Sequence, residues 1–137
     1  MAFSVRTVEY FYTRVADLPG RAYELLATLA SEEINLLAFS AVPYGPNHVE
    51  LTLFPERSEN FLKVAAKLGL TVTGPQHACL IQGDDKLGAF AEIQRALLEA
   101  GVSVYASTGV TDGEGRFGYV IYVREDHFPA AAKALAR

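Results

Sequence analysis

Two short stretches of this 137-residue chain carry residue types suited to holding a small charged molecule. Asp17-Leu18-Pro19-Gly20 and Asp85-Lys86-Leu87-Gly88 each stand just ahead of a run with helical spacing. A helix N-terminus carries unpaired N–H groups and positive dipole potential, which suit a carboxylate. Gly20 and Gly88 let a ligand approach the backbone with no Cβ in the way. Asp17, Asp85 or the side-chain carbonyl of Asn35 can accept from an ammonium group. The same residues also have purely structural uses. Asp is a preferred N-cap, Gly eases close helix–strand packing, Asn is a turn residue at strand starts, and Lys86 can be a solvated charge.

No catalytic constellation accompanies them. His48, His77 and His127 fall in different elements at no metal-ligand spacing, and no G-x-S-x-G, P-loop or H-E-x-x-H is present. Glu32-Glu33 and Asp84-Asp85 are adjacent carboxylates, whereas paired acids for acid–base work need opposed geometry. Cys79 is the single cysteine, which excludes an intramolecular disulfide and reads as a small buried residue in a strand. The expectation is a non-enzyme with no cofactor, no metal and no catalytic residue.

Composition sets the frame for these motifs. Apolar residues make up 50% and charged residues 20%, which fits a globular chain and excludes a disordered or collagen-like one. Lys plus Arg number 12 and Asp plus Glu 16, for a net charge of −4. With no basic cluster, non-specific nucleic-acid binding is disfavoured. No apolar run approaches the length of a membrane span, and Met1-Ala2-Phe3-Ser4-Val5-Arg6 lacks the layout of a secretory signal. A cytoplasmic protein with no membrane partner is expected.

The elements that position the two motifs come from an internal repeat. Slid by 68 residues, Asp17 falls on Asp85, Gly20 on Gly88, Glu24 on Glu92, Leu29 on Leu97, Ala38 on Ala106 and Gly45 on Gly113. The apolar phase agrees too, pairing Leu25 with Ile93, Ile34 with Val102, Leu36 with Val104 and Leu51 with Tyr119. Copy one reads as a strand (Thr7 to Val15), a helix on Ala22, Leu25, Leu26 and Leu29, and a strand from Ile34 to Pro43. A strand on Val49, Leu51 and Leu53 follows, then a helix capped by Ser58, then a short strand Leu70–Thr73. Copy two repeats this from Gln76, with a hairpin turn at Asp112-Gly113-Glu114-Gly115 and a final helix capped by Asp126.

The reading is therefore α+β, a βαββαβ unit repeated twice, with antiparallel sheets and helices on one face. The repeats span 1–73 and 74–137. The second copy lacks its fourth strand, because Arg137 corresponds to the residue just before it. With strands ordered 4-1-3-2, that loss bares the edge of Gln76 to Gln82. A dimer partner or the Phe3-Ser4-Val5 extension is expected to cover it. If Phe11 faces the helices, Tyr10 and Tyr12 lie on the open sheet face. Tyr105, Tyr119 and Tyr122 add aromatics in copy two, and the open face suits self-association better than base stacking.

With these residues in hand, each copy resembles an ACT domain, and nearly the whole chain is similar to a stand-alone tandem ACT protein on a ferredoxin-like scaffold. The motifs are the Asp17-Leu18-Pro19-Gly20 turn, Ile34-Asn35-Leu36, and in copy two Asp85-Lys86-Leu87-Gly88 with Val102-Ser103-Val104. Copy two departs from the pattern, with Leu87 in place of the proline and Ser103 in place of the asparagine. The resemblance implies a regulatory, allosteric module that binds a free amino acid or similar small metabolite between domains, as a homo-oligomer, most simply a dimer. It implies ligand contacts at Asp17, Leu18, Pro19, Gly20, Asn35 and Leu36, and at Asp85, Lys86, Leu87, Gly88 and Ser103. The alternatives are an interaction module of the same fold with no small-molecule ligand, or a small enzyme or RNA binder on that scaffold.

Overall fold

The computed structural model describes residues 3–136. In chain order the elements are β1 (Phe3–Ala16), α1 (Arg21–Ser31), β2 (Leu36–Tyr44), β3 (His48–Pro55) and α2 (Ser58–Lys67). They continue with β4 (Thr73–Asp84), α3 (Ala89–Glu99), β5 (Val104–Thr111), β6 (Arg116–Val123) and α4 (Phe128–Leu135), the last preceded by a 3-10 turn, Glu125–His127. They form two compact units. One is Glu9–Gln76; the other joins the residues up to Val8 with those from His77 onward.

In the Glu9–Gln76 unit the strands run β2-β3-β1-β4, with the first part of β4 at the edge. β1 and β3 are antiparallel, from Phe11 opposite Leu53 to Ala16 opposite His48. β2 pairs with β3 in the same sense. The Tyr10 hydroxyl donates to Gln76 Oε1 at 2.9 Å, and Thr13 Oγ1 donates to the Thr71 carbonyl at 2.7 Å. One face of the strands supplies Phe11 and Leu53. Leu29 of α1 and Phe61, Val64 and Ala65 of α2 pack on it, with Leu25, Ile34, Leu36, Leu70 and Val72 around the margin. Burying each large side chain contributes about 1.5–3 kcal/mol. The spacing 61, 64, 65 is the helical stripe that makes this possible.

The second unit reuses the plan, with strands ordered β1-β4-β6-β5. β4 and β6 are antiparallel, from Cys79 opposite Ile121 to Asp84 opposite Arg116, and β5 pairs with β6 likewise. Cys79, Ile81, Phe117, Tyr119, Ile121 and Val123 meet Ala89, Ile93, Ala96 and Leu97 of α3 and Ala131 and Leu135 of α4. Cys79 is a core residue as expected, and burial pushes its thiol pKa up. Phe3 and Val5 pack against this same core. Ser4 Oγ donates to the Gln82 carbonyl at 3.4 Å, and the Arg6 guanidinium donates to Gln82 Oε1 at 3.3 Å. Phe3–Val8 therefore takes the fourth-strand position of this unit. Of the two covers expected for that edge, the N-terminal extension supplies it.

Several local expectations are corrected. β1 begins at Phe3 rather than Thr7. The short strand expected at Leu70–Thr73 and the one expected at Gln76–Gln82 are a single strand, β4, which passes through Gly74-Pro75. Gly74 permits this: it sits at φ 138°, and a Cβ there would lie 2.8 Å from the Phe11 ring and from the Tyr10 carbonyl. Asp17 and Asp85 do not cap helices. Gly20 and Gly88 hold the N-cap positions, with no side-chain cap bond. Arg57 rather than Ser58 is the N-cap of α2, and Asp126 lies in the 3-10 turn ahead of α4. Tyr10 is buried, its ring 5.2 Å from that of Phe54. Tyr119 belongs to the helix-side core, with Gln94 donating to its hydroxyl at 2.7 Å. Tyr122 lies beside Tyr105, ring centroids 6.4 Å apart; burial, then Tyr105, raise its pKa to about 12.

The duplication is visible atom by atom. Gly20 and Gly88 sit at φ 80° and 83°. The amides of Asp17 and Asp85 donate to the carbonyls of Asn47 and Gly115, both at 2.9 Å and both 68 residues apart in register. β2 slips register between Leu36 and Ala38, and β5 between Val104 and Ala106. α1 and α3 close the same way: Ile34 N–H donates to Leu29 O at 2.9 Å, and Val102 N–H to Leu97 O at 3.0 Å. The left-handed residue of that closure is Gly101 in copy two but Glu33 in copy one, at φ 62°. A Cβ in this conformation costs about 1–2 kcal/mol.

Two outcomes are expected. Deleting the residues through Val8 bares the β4 edge, so the shortened chain should lose cooperative stability and self-associate, as read by thermal melting and sedimentation velocity. Glu33→Gly should raise stability by about 0.5–1 kcal/mol, as read from the denaturant midpoint at unchanged slope.

Candidate functional site

The two motif loops are built alike. Each follows the end of a long strand, is exposed, and ends in a left-handed glycine that starts a helix. In copy one, Arg21 N–H donates to Leu18 O and Glu24 N–H to Gly20 O. In copy two, Ala89 N–H donates to Lys86 O and Glu92 N–H to Gly88 O. Among the described residues, the amides of Gly20, Ala22 and Tyr23, and of Gly88, Phe90 and Ala91, have no protein acceptor. These orphan donors sit at the positive ends of α1 and α3. The Asp17 and Asp85 carboxylates and the Lys86 ammonium make no ion pair among the described residues.

In copy two this loop borders an open recess of about 420 Å³, lined by Asp85, Lys86, Leu87, Gly88, Ala89, Phe90 and Ala91. Phe90 is fixed by an edge contact with Phe117 (centroids 5.4 Å apart) and a closer one with Tyr119 (4.7 Å). Gly109 of β5 makes room for it, since a Cβ there would lie 2.8 Å from the Phe90 ring. The recess thus joins a cation, a carboxylate and unpaired amides to a wall of Leu87, Ala89, Phe90 and Ala91. That combination can hold a small molecule carrying both charges beside an apolar group. Leu87 is fully exposed at the loop tip and Leu18 is half-exposed.

Asn35 stands elsewhere. It lines a second recess, of about 260 Å³, together with Glu33, Ile34, Glu56, Arg57 and Asn60. Its side-chain amide donates to Glu56 Oε2 at 2.9 Å, and its carbonyl accepts from Glu56 N–H at 2.9 Å. Leu36 packs against the core, and Ser103 is exposed ahead of β5. The pairing register explains the separation. Loop 17–20 follows Ala16, which faces His48, whereas Asn35 precedes Leu36, which faces Pro55. Those ends of β3 are roughly 23 Å apart by strand rise. Asp85 and Ser103 are divided in the same way, since Asp84 faces Arg116 and Val104 faces Val123. Within either unit, the loop set and the strand-start residues do not share a pocket.

Glu33, Glu56, Arg57 and Asn60 were not among the expected site residues. They come from two separate segments that only the β2–β3 pairing brings together. The one local signal was Glu33, which stands where the repeat places Gly101. No group of three or more His, Cys, Asp or Glu side chains suited to a metal ion occurs among the described residues. No described helix is long and apolar enough to cross a membrane.

No protein-family model and no curated protein sequence matches the chain. Solved structures do. A protein from Bacteroides thetaiotaomicron superposes with a TM-score of 0.81 at 18% identity, covering 96% of this chain and 88% of that one. The ligand-free regulatory subunit of aspartate kinase from Thermus thermophilus gives 0.66 at 14% identity, covering 96% and 93%. The regulatory subunit of aspartate kinase from Thermus flavus gives 0.62 at 15% identity, covering 97% and 92%. At these identities the likeness is one of fold: the chain folds as a tandem of ACT-type, ferredoxin-like repeats.

Proposed function

We propose that this chain is a non-catalytic regulatory module that binds a free amino acid or a similar small metabolite at the loop leading into α3, with the loop into α1 as its counterpart. The observation that carries the reading is the set of unpaired amides at Gly88, Phe90 and Ala91, bordering a recess that also holds Lys86 and Asp85. A carboxylate placed on those amides gains charge-assisted hydrogen bonds where the helix potential is positive. Asp85 accepts from the ammonium, and Phe90 and Leu87 cover the side chain. The solved structures of similar fold include regulatory parts of aspartate kinase, which supports a regulatory role over a catalytic one.

Loop and strand-start residues lie apart within each unit, so a site using both needs a second unit, and the proposal takes it from a second copy of the chain. A homodimer is therefore part of the proposal. The sequence repeats 1–73 and 74–137 remain the functional pair, each bringing one loop. The competing reading, an interaction module with no ligand, draws on exposed Leu87 and Leu98.

A thermal-shift series with the common amino acids tests the choice. A ligand at 100 times its dissociation constant stabilises by about 2.7 kcal/mol, a shift of several degrees. Lys86→Ala should reduce the shift while leaving the melting of the free protein unchanged. If no amino acid moves the transition, the interaction module is the better account.

A further inference from the structure

β2 is the outer strand of the Glu9–Gln76 unit, with β3 on one side and no described strand on the other. Such an edge presents a row of unpaired N–H and C=O groups, and proteins commonly guard it with charged side chains. Leu36–Tyr44 carries no charge. Pro43 removes a donor only near the end, which leaves Leu36–Val42 as an open ladder. Phe39, Val42 and Tyr44 are 38%, 49% and 46% exposed, so the edge is apolar as well as unpaired.

The matching edge of copy two is built otherwise. Gln94 of α3 donates to the Tyr119 hydroxyl at 2.7 Å, and that hydroxyl donates to Ser107 Oγ of β5 at 3.2 Å. Shifted by 68 residues, the same three places hold Leu26, Leu51 and Phe39. The row beside β5 satisfies its own polar groups, while the row beside β2 has only apolar side chains to offer.

We infer that β2 and the adjoining flank of α1 form the contact between two copies of this chain, with the β2 strands antiparallel across a two-fold axis. The inference rests on the homodimer of the proposed function and names its surface. A second copy suits this edge because an uncharged strand laid against itself brings no like charges together. The flanking helices are complementary too. β1 and β2 are both antiparallel to β3, so α1, which returns the chain from one to the other, runs against both. The two-fold therefore sets the α1 helices antiparallel, with Arg21 of each at the end where the partner's Glu33 stands. Among the described residues, neither side chain has an ion pair within its own chain. The β5 edge and the recess beside α3 stay outside this contact.

Substitutions 68 residues apart separate the two edges. Val42→Lys and Val110→Lys each place an ammonium on an exposed valine, one on β2 and one on β5. In sedimentation equilibrium of the full-length protein without added ligand, the parent should be a dimer. Val42→Lys should weaken association at least tenfold while keeping the circular dichroism of the folded chain, and Val110→Lys should leave association unchanged. Arg21→Glu should weaken it as well, and adding Glu33→Arg should restore it, a recovery that a folding defect does not produce. The assignment falls if the parent is a monomer, if Val110→Lys dissociates the dimer, if Val42→Lys leaves it intact, or if the reversed pair fails to recover association. Since no ligand is present, a failed amino-acid screen leaves this result standing, and a monomer leaves the recess beside α3 to its own test.

Discussion

Everything in this molecule depends on satisfying the backbone donors and acceptors along β1 and β4. A βαββαβ unit needs its first strand flanked on both sides, and an open edge is a standing invitation to aggregate. Each of the two long strands serves both units. Glu9–Ala16 is the first strand of one unit while Phe3–Val8 closes the other. Thr73–Gln76 closes the first unit while His77–Asp84 opens the second. The cores follow from this: Phe3 and Val5 reach the α3–α4 core only because their backbone is paired there, and Leu70 and Val72 lie at the α1–α2 core as the chain enters β4.

Once the strands are fixed, the loops into α1 and α3 are fixed too. The end of each long strand is tied to the neighbouring hairpin, Asp17 to Asn47 and Asp85 to Gly115. The chain must then reverse into a helix within four residues, and the left-handed glycine makes that reversal without strain. Because glycine rather than aspartate stands at the cap, no side chain fills the space over the first helical turn. The amides left open there follow from the left-handed backbone at Gly20 and Gly88, which favours the one residue with no side chain to cap them.

Much of this was legible in the residues themselves. The 68-residue offset, the βαββαβ order and the stripes on α1 to α4 all rest on local periodicity, which survives into the structure. The rest was not. Phe3-Ser4-Val5 was one of two covers that the open edge called for, but the choice between them was not legible, because its pairing with Gln82 is a long-range event. Gly74-Pro75 reads as a break by composition, yet the strand continues because Gly74 fits against Phe11 where no other residue would. Asp17 and Asp85 looked like caps because aspartate favours that role, and the backbone turn overrode the preference. The recess around Asn35 had no linear signature, since Glu56, Arg57 and Asn60 reach it only through the β2–β3 hairpin.

The nesting of one unit inside the other also orders events in time. A ribosome that has released Gln76 has released every strand and helix of the Glu9–Gln76 unit, so that part can condense early. Ser4, which meets Gln82 78 positions downstream, must wait. Until the second hairpin and α4 emerge, Phe3–Val8 has no strand to pair with in its own unit. Such distant pairing carries a large loop-closure penalty and slows assembly. Such a topology favours sequential maturation, with Phe3–Val8 pairing after the Glu9–Gln76 unit.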